Sequence, residues 1–200
     1  MTQLRRLNAG LRWVRPWMLY TLAALHAAYL FWTALAGRIG PDPVNLLERA
    51  YGERAMWLLV ATLAVTPLRR FAGVNLMPWR RALGQCSFFF ALAHLAVFTF
   101  LDIGTVQRLA AEIVKRPYIT VGMAAFVLLL PLALTSSDRA IRAMGALRWR
   151  SLHRLIYPAA VLVGVHNLWV AKGFQWQQVA WLLVILALMA LRLIPRGKAQ

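Results

Sequence analysis

Cysteine is almost absent from this 200-residue sequence: Cys86 stands alone, so no intramolecular disulfide can form. A lone thiol also excludes a Cys-x-x-Cys-His attachment for covalent haem, the thiolate set of an iron–sulfur cluster and a cysteine-built zinc site. Cys86 reads as a small core residue. Acidic side chains are scarce as well, 6 Asp and Glu against 23 Lys and Arg, a formal net charge of +17. No repeat, low-complexity tract or soluble-domain stretch interrupts the chain. Charged residues make up 14% of it and hydrophobic ones 61%, with a mean hydropathy of +0.60. A soluble fold of this size leaves roughly a third of its chain surface in water and could not hide so much apolar area. Lipid is the solvent such a composition calls for. A basic excess in a soluble protein would suggest nucleic acid. Here the basic residues cluster between apolar runs, the pattern of membrane topology, and no nucleic-acid partner is expected.

A bilayer core of about 30 Å takes about 20 apolar residues in helical form. Six stretches answer to that, at about 17–36, 50–68, 82–101, 117–135, 152–171 and 176–194. The expected fold is all-α: one integral-membrane helical bundle of about six transmembrane helices, spanning 1–200 as a single domain. The second stretch is the least sharply bounded, since its fully apolar part, Ala55–Leu68, is short unless the helix starts nearer Leu46. Arg5, Arg6, Arg12 and Arg15 before the first run, with Ala34-Leu35-Ala36 at its end, imitate a signal peptide. The run Trp17–Ala36 exceeds a signal h-region of about 7–15 residues, so it reads as a retained first helix.

Charge sets the orientation. The N-terminus, the 69–81 and 136–154 loops and the C-terminus hold 16 Lys and Arg and one acid, Asp138. The 37–54, 102–116 and 172–175 segments hold 7 basic residues and 5 acids: Asp42, Glu48, Glu53, Asp102 and Glu112. The positive-inside rule then puts both termini in the cytoplasm. Trp13, Trp17, Trp79, Trp149, Trp169 and Trp176 near span ends fit an interfacial belt. The acid-bearing outer loops are candidate partner-docking surfaces or ordinary solvated loops.

All four histidines, His26, His94, His153 and His166, fall in or at the end of an expected span. Ionisable groups in lipid are costly, so each is a functional candidate; the rival reading is an interhelical hydrogen bond. Helix rise puts His94 about 18 Å and His166 about 21 Å from the cytoplasmic side of their spans, one level in the outer half of the membrane. Two neutral imidazoles facing each other suit the iron of a haem that carries electrons. Zinc is disfavoured by the absence of nearby carboxylate or thiolate. His153 lies at the cytoplasmic mouth of the same helix, about 20 Å below His166. A redox group there would make a stepping stone across the bilayer. Pro158 between the two is expected to break a backbone bond and kink the helix. No histidine stands level with His153 on the third span, where Arg81 falls; His26, Gln85 or an open position remain as its mate. His26 suits a hydrogen bond as well as ligation. Arg80, Arg81, Arg148, Arg150 and Arg154 fit haem propionates or a flavin phosphate, as well as plain topology.

Several of these residues also carry a resemblance. Arg80-Arg81-x-Leu83-Gly84 with His94-Leu95, and Lys115-Arg116-Pro117-Tyr118-Ile119-Thr120-Val121-Gly122 with Leu134-Thr135-Ser136, resemble the YedZ/MsrQ family. So do Trp149-x-x-Leu152-His153-Arg154-Leu155-Ile156-Tyr157 and His166-x-Leu168-Trp169, with weaker agreement at Leu25-His26, Asp42-Pro43-Val44 and Thr66-Pro67-Leu68. The resemblance covers nearly the whole chain. It implies a ferric-reductase-like transmembrane domain in the bacterial inner membrane, the haem-binding subunit of a periplasmic protein-methionine-sulfoxide reductase system. On this reading the chain passes electrons from the quinone pool to a molybdopterin-containing periplasmic subunit, where catalysis takes place. That partner reverses methionine oxidation in damaged proteins. Implied cofactors are haem b and FMN, and a cytoplasmic flavin reductase is a further implied partner. By position His94, His153 and His166 match the family's haem-iron ligands. Arg81 departs from the wider pattern of two histidines on each of two helices.

Two competing readings remain. A self-contained ferric or flavin-linked reductase would need nucleotide- and flavin-binding domains, whereas the sequence ends at Gln200, just past the last span. A cofactor-free transporter or structural membrane protein would lead one to expect inverted repeats and paired broken helices, and no half-to-half symmetry stands out.

Overall fold

The computed structural model describes residues 2–11, 13–171 and 175–194, and every regular element among them is helical. Arg12, Lys172, Arg196 and Lys198, which enter the charge asymmetry, lie outside the described residues. The chain runs α1 (Thr2–Leu11), α2 (Pro16–Leu35), α3 (Pro43–Pro67), α4 (Arg80–Val97), α5 (Val106–Lys115) and α6 (Pro117–Leu134). Then follow α7 (Asp138–Met144), α8 (Ala146–Leu152), α9 (Ile156–Val170) and α10 (Trp176–Leu193).

Helix starts follow from local chemistry. Proline stands at the first turn of α2, α3 and α6, where its missing N–H would have had no partner. Asp42 caps α3 by accepting from the Asn45 N–H at 3.2 Å. That cap answers the uncertain second span: α3 starts at Pro43, well before the apolar stretch, because Asp42-Pro43 is a strong start signal. Its far end continues as a π-helical turn, Leu68–Ala72, closed by Gly73 in the left-handed conformation (φ 70°). A second π-helical turn, Phe98–Asp102, extends α4.

Among the described residues, five helical segments are long and apolar enough to cross a membrane: Pro16–Leu35, Pro43–Ala72, Met77–Asp102, Pro117–Leu134 and Trp176–Leu193. The remaining expected span, 152–171, is built differently. Its α-helical part, α9, has 15 residues and is preceded by a 3-10 turn, His153–Leu155. Pro158 explains the break. It has no N–H and its ring clashes with the carbonyl four residues back, which disfavours an α-helix running through it from Leu152. The chain takes a tighter turn and starts a new helix at Ile156, which puts Pro158 in a first turn rather than at a mid-helix kink.

α4 packs along α3 and α9 along α6; α10 covers α9 and α3, and α2 lies against α3 and α4. One apolar core joins Leu59, Val60 and Leu63 of α3 to Leu129 and Leu132, Ala159 and Ala160, and Ile185. A second joins Ala27, Leu30 and Ala34 to Leu47, Tyr51, Phe90 and Val97. Small residues permit close helix approach where lipid gives no hydrophobic drive. At Gly164 of α9 a Cβ would meet Leu182 at 2.7 Å. Polar bonds add to the packing: Ser87 Oγ to the Ala55 carbonyl at 2.7 Å, and Tyr51 OH to the Ala27 carbonyl at 2.9 Å. Large apolar side chains of α2 and α10, such as Leu22, Leu25, Leu35 and Leu183, point outward as a lipid-facing surface requires.

Candidate functional site

α4 carries His94 and α9 carries His166, and the bundle brings their rings together with centroids 6.3 Å apart and planes at 72°. Neither is free to spin. His94 Nδ1 lies 2.9 Å from the Glu48 carbonyl of α3, and His166 Nδ1 lies 2.8 Å from the Tyr118 carbonyl of α6. A carbonyl can only accept, so each Nδ1 is the protonated nitrogen and each Nε2 keeps its lone pair. No protein group bonds either Nε2 among the described residues.

That donor set fits an axially ligated haem iron. Metal–nitrogen bonds of about 2 Å on either side, with the half-width of each ring, give ring centres about 6 Å apart. It fits a protein-chelated metal poorly: no group of three or more His, Cys, Asp or Glu able to hold an ion occurs among the described residues.

His153 is held in another way. Its Nδ1 lies 3.0 Å from the Trp149 carbonyl, four residues back, and its ring stacks on the Trp149 indole at 3.9 Å. Trp149 is itself fixed by its indole N–H donating to the Thr135 carbonyl at 2.9 Å. The His153 Nε2 is buried with no hydrogen-bond partner. A buried acceptor without a partner is uncommon and costly, which makes this atom a candidate ligand position.

Neither side chain considered as a mate for His153 is directed to it. His26 Nε2 takes the Arg54 Nε–H at 3.4 Å, and its ring meets Phe90 edge-on at 6.3 Å. Gln85 accepts from Tyr20 OH at 3.1 Å and donates to the Ala133 carbonyl at 3.5 Å. Arg81 pairs with Asp138, and Arg150 bonds back to the Ala146 carbonyl.

Near the same end lies a cavity of about 640 Å³ whose lining includes Thr66, Arg69, Arg70, Arg80 and Arg192. Arg192 crosses from α10 to donate to the Leu63 carbonyl at 2.6 Å and to Tyr157 OH at 3.4 Å, and its Nε is buried without a partner. Within α3 Glu53 pairs with Arg54 at 3.0 Å, and Glu112 of α5 pairs with Arg116 at 2.6 Å.

Glu48 and Tyr118 were not legible as site residues. They act through main-chain carbonyls, which every residue carries. Arg192 was counted only for topology, since nothing in the sequence marks which arginine turns back into the bundle.

The family model of the ferric reductase like transmembrane component matches residues 51–164, which include His94 and His153. A protein of Brucella anthropi named "Protein-methionine-sulfoxide reductase heme-binding subunit MsrQ" is 38% identical, covering 94% of this chain and 93% of its own. Proteins of the same name from Brucella ovis and Brucella canis are 40% identical over 92% of this chain and 89% of theirs. With several membrane-crossing helices and similarity along nearly its whole length, the chain belongs to the MsrQ family of ferric-reductase-like, multi-pass bacterial inner-membrane proteins.

Proposed function

We propose that this chain holds haem b between His94 and His166 and serves as the membrane electron-transfer subunit of a system that reduces methionine sulfoxide in proteins. One observation carries the reading: two imidazoles from different helices lie with ring centres 6.3 Å apart, each with Nδ1 taken by main chain and Nε2 bonded by no protein group among the described residues. The name borne by its relatives supports it. Haem, when bound there, supplies a reversible one-electron couple. His94 and His166 would hold it through their Nε2 atoms. The Glu48 and Tyr118 carbonyls hold both rings in the donating tautomer and raise their basicity.

The finer reading extends across the membrane. His153, with its unpartnered Nε2, is a ligand for a second haem iron near the cytoplasmic face. The arginine-lined cavity near that end suits the phosphate of FMN. Electrons enter there from a membrane quinone or a cytoplasmic flavin reductase and leave on the periplasmic side, to a molybdopterin-containing catalytic subunit. The charge asymmetry supports this orientation, with both termini cytoplasmic and the chain acting as one transmembrane unit.

A reduced-minus-oxidised spectrum and a pyridine haemochrome assay on the purified protein test the core of this. A b-type haem is expected, with occupancy falling about tenfold or more in His94→Ala and in His166→Ala. A colourless preparation from haem-replete cells that takes up no haem on reconstitution overturns it. The arginine cavity also favours a second reading, a flavin-linked ferric reductase. Ferric reduction with a soluble flavin reductase and no periplasmic partner would select that one.

A further inference from the structure

Each imidazole of the facing pair leans on its neighbouring helix beside a glycine. On α3 the acceptor is the Glu48 carbonyl and the residue one turn further on is Gly52; on α6 the acceptor is the Tyr118 carbonyl and the residue one turn further on is Gly122. The same i, i+4 spacing thus recurs on two helices, once in the α3–α4 pair and once in the α6–α9 pair.

Helix geometry explains the spacing. A helical carbonyl at i already accepts from the N–H at i+4, which uses one of its two lone pairs. The Cβ at i+4 tilts toward the helix N-terminus, over that same carbonyl. A side chain there obstructs the second lone pair, and glycine leaves it open. The distances bear this out. A Cβ at Gly122 would stand 2.8 Å from Cε1 and 2.9 Å from Nδ1 of His166. At Gly52 it would stand 3.2 Å from Nδ1 and 3.4 Å from Cε1 of His94. The first approach is impossible without displacing the ring; the second asks for a shift of tenths of an ångström. Gly84 on α4 provides the contrast, since a Cβ there would meet Thr62 at an ordinary 3.7 Å. Glycine is the poorest helix former short of proline, so its use at both clasps needs a local reason.

We propose that Gly52 and Gly122 are positioning residues for the haem-ligand pair. Each opens the carbonyl one turn back to the Nδ1–H of the facing histidine, which fixes the donating tautomer, the plane of the ring and the donor strength of Nε2. The proposal rests on the reading that His94 and His166 bind haem. Loss of an outer-shell bond of this kind costs about 10–100-fold in metal affinity.

The test compares Gly122→Ala, Gly52→Ala and Gly84→Ala in the full-length purified protein. It reads haem retention, the low-spin electron paramagnetic resonance signal and the midpoint potential, with ¹⁵N NMR of the histidine rings in haem-free protein. Gly122→Ala is expected to weaken haem retention about 10–100-fold and to raise the potential, since a less basic imidazole stabilises the ferric state less. Gly52→Ala should move both readouts in the same direction by less, and Gly84→Ala should leave them as in wild type. Wild-type retention and potential in both Gly52→Ala and Gly122→Ala would overturn the proposal, as would an equal shift in Gly84→Ala. If Gly122→Ala does not fold, Gly52→Ala decides. If wild type itself binds no haem, the ligand reading fails, and the nitrogen spectra still judge the clasp. Nδ1-protonated rings in wild type that lose this preference in Gly122→Ala uphold it; an unchanged spectrum refutes it.

Discussion

His94 and His166 donate across to neighbouring helices, 46 and 48 residues away in sequence, whereas His153 bonds to a carbonyl four residues back and stacks on the same residue's indole. The first arrangement exists only if four helices pack in one register. The second is assembled by a single turn of chain, held by the Trp149 bond to the Thr135 carbonyl just past α6. Geometry at the facing pair is therefore tied to the whole bundle, while geometry at His153 is tied to the loop that feeds α9. The surroundings of the free nitrogens differ too: those of the pair belong to rings 6.3 Å apart, and the His153 Nε2 is buried without a hydrogen-bond partner.

Breaking the pair should have the largest effect. His166→Ala or His94→Ala should lose the bis-histidine low-spin signal by more than the 10–100-fold that an outer partner is worth, while His153→Ala should keep it. Equal loss of that signal in all three variants would mean that the two regions form one site. Next comes Trp149→Ala, which removes the stack on His153 and the bond to Thr135. A half-buried side chain of this kind is worth about 1–3 kcal/mol. The expected result is a lower thermal midpoint with the signal of the facing pair unchanged. A shift in that signal would show that the two ends are mechanically coupled.

Arg192→Leu should act more narrowly still. It removes a charged donor from the Leu63 carbonyl and from the arginine cavity, at a cost of about 1–2 kcal/mol, read as a drop of a few degrees in the melting temperature. If FMN uses that cavity, its retention should fall with this variant and haem retention should not. The smallest effect belongs to the exposed Arg81–Asp138 pair. The hydrogen bond and charge of Arg81 hold the Asp138 carboxyl below the usual carboxylate range. A carboxyl whose pKa is depressed on folding adds stability above its unfolded pKa and loses it as pH falls through the folded value. The melting temperatures of wild type and Asp138→Asn should accordingly differ slightly at neutral pH and converge only below about pH 4. A gap that stays constant into strong acid would remove the pair from any role in stability.

Much of the fold was legible because lipid imposes few solutions. Apolar length marked four of the five membrane-length helices to within a few residues; at α3 the Asp42 cap starts the helix before the apolar stretch begins. Pro158 was recognised as a breaker, but whether it kinks a helix or starts one depends on what the preceding turn can do. The structure answers with a 3-10 turn at His153–Leu155. Charged side chains outside the apolar stretches gave an expected side of the membrane, while their pairings, such as Arg54 with His26, did not show.

By itself the sequence determined the solvent, the helical class and that His94 and His166 come level with each other, because apolar length and a fixed helical rise are local quantities. Which carbonyl receives each Nδ1–H, and which glycine makes room for it, was decided only by tertiary structure. Carbonyls are common to every residue, and a missing Cβ acquires meaning only when a ring from a distant helix fills its place.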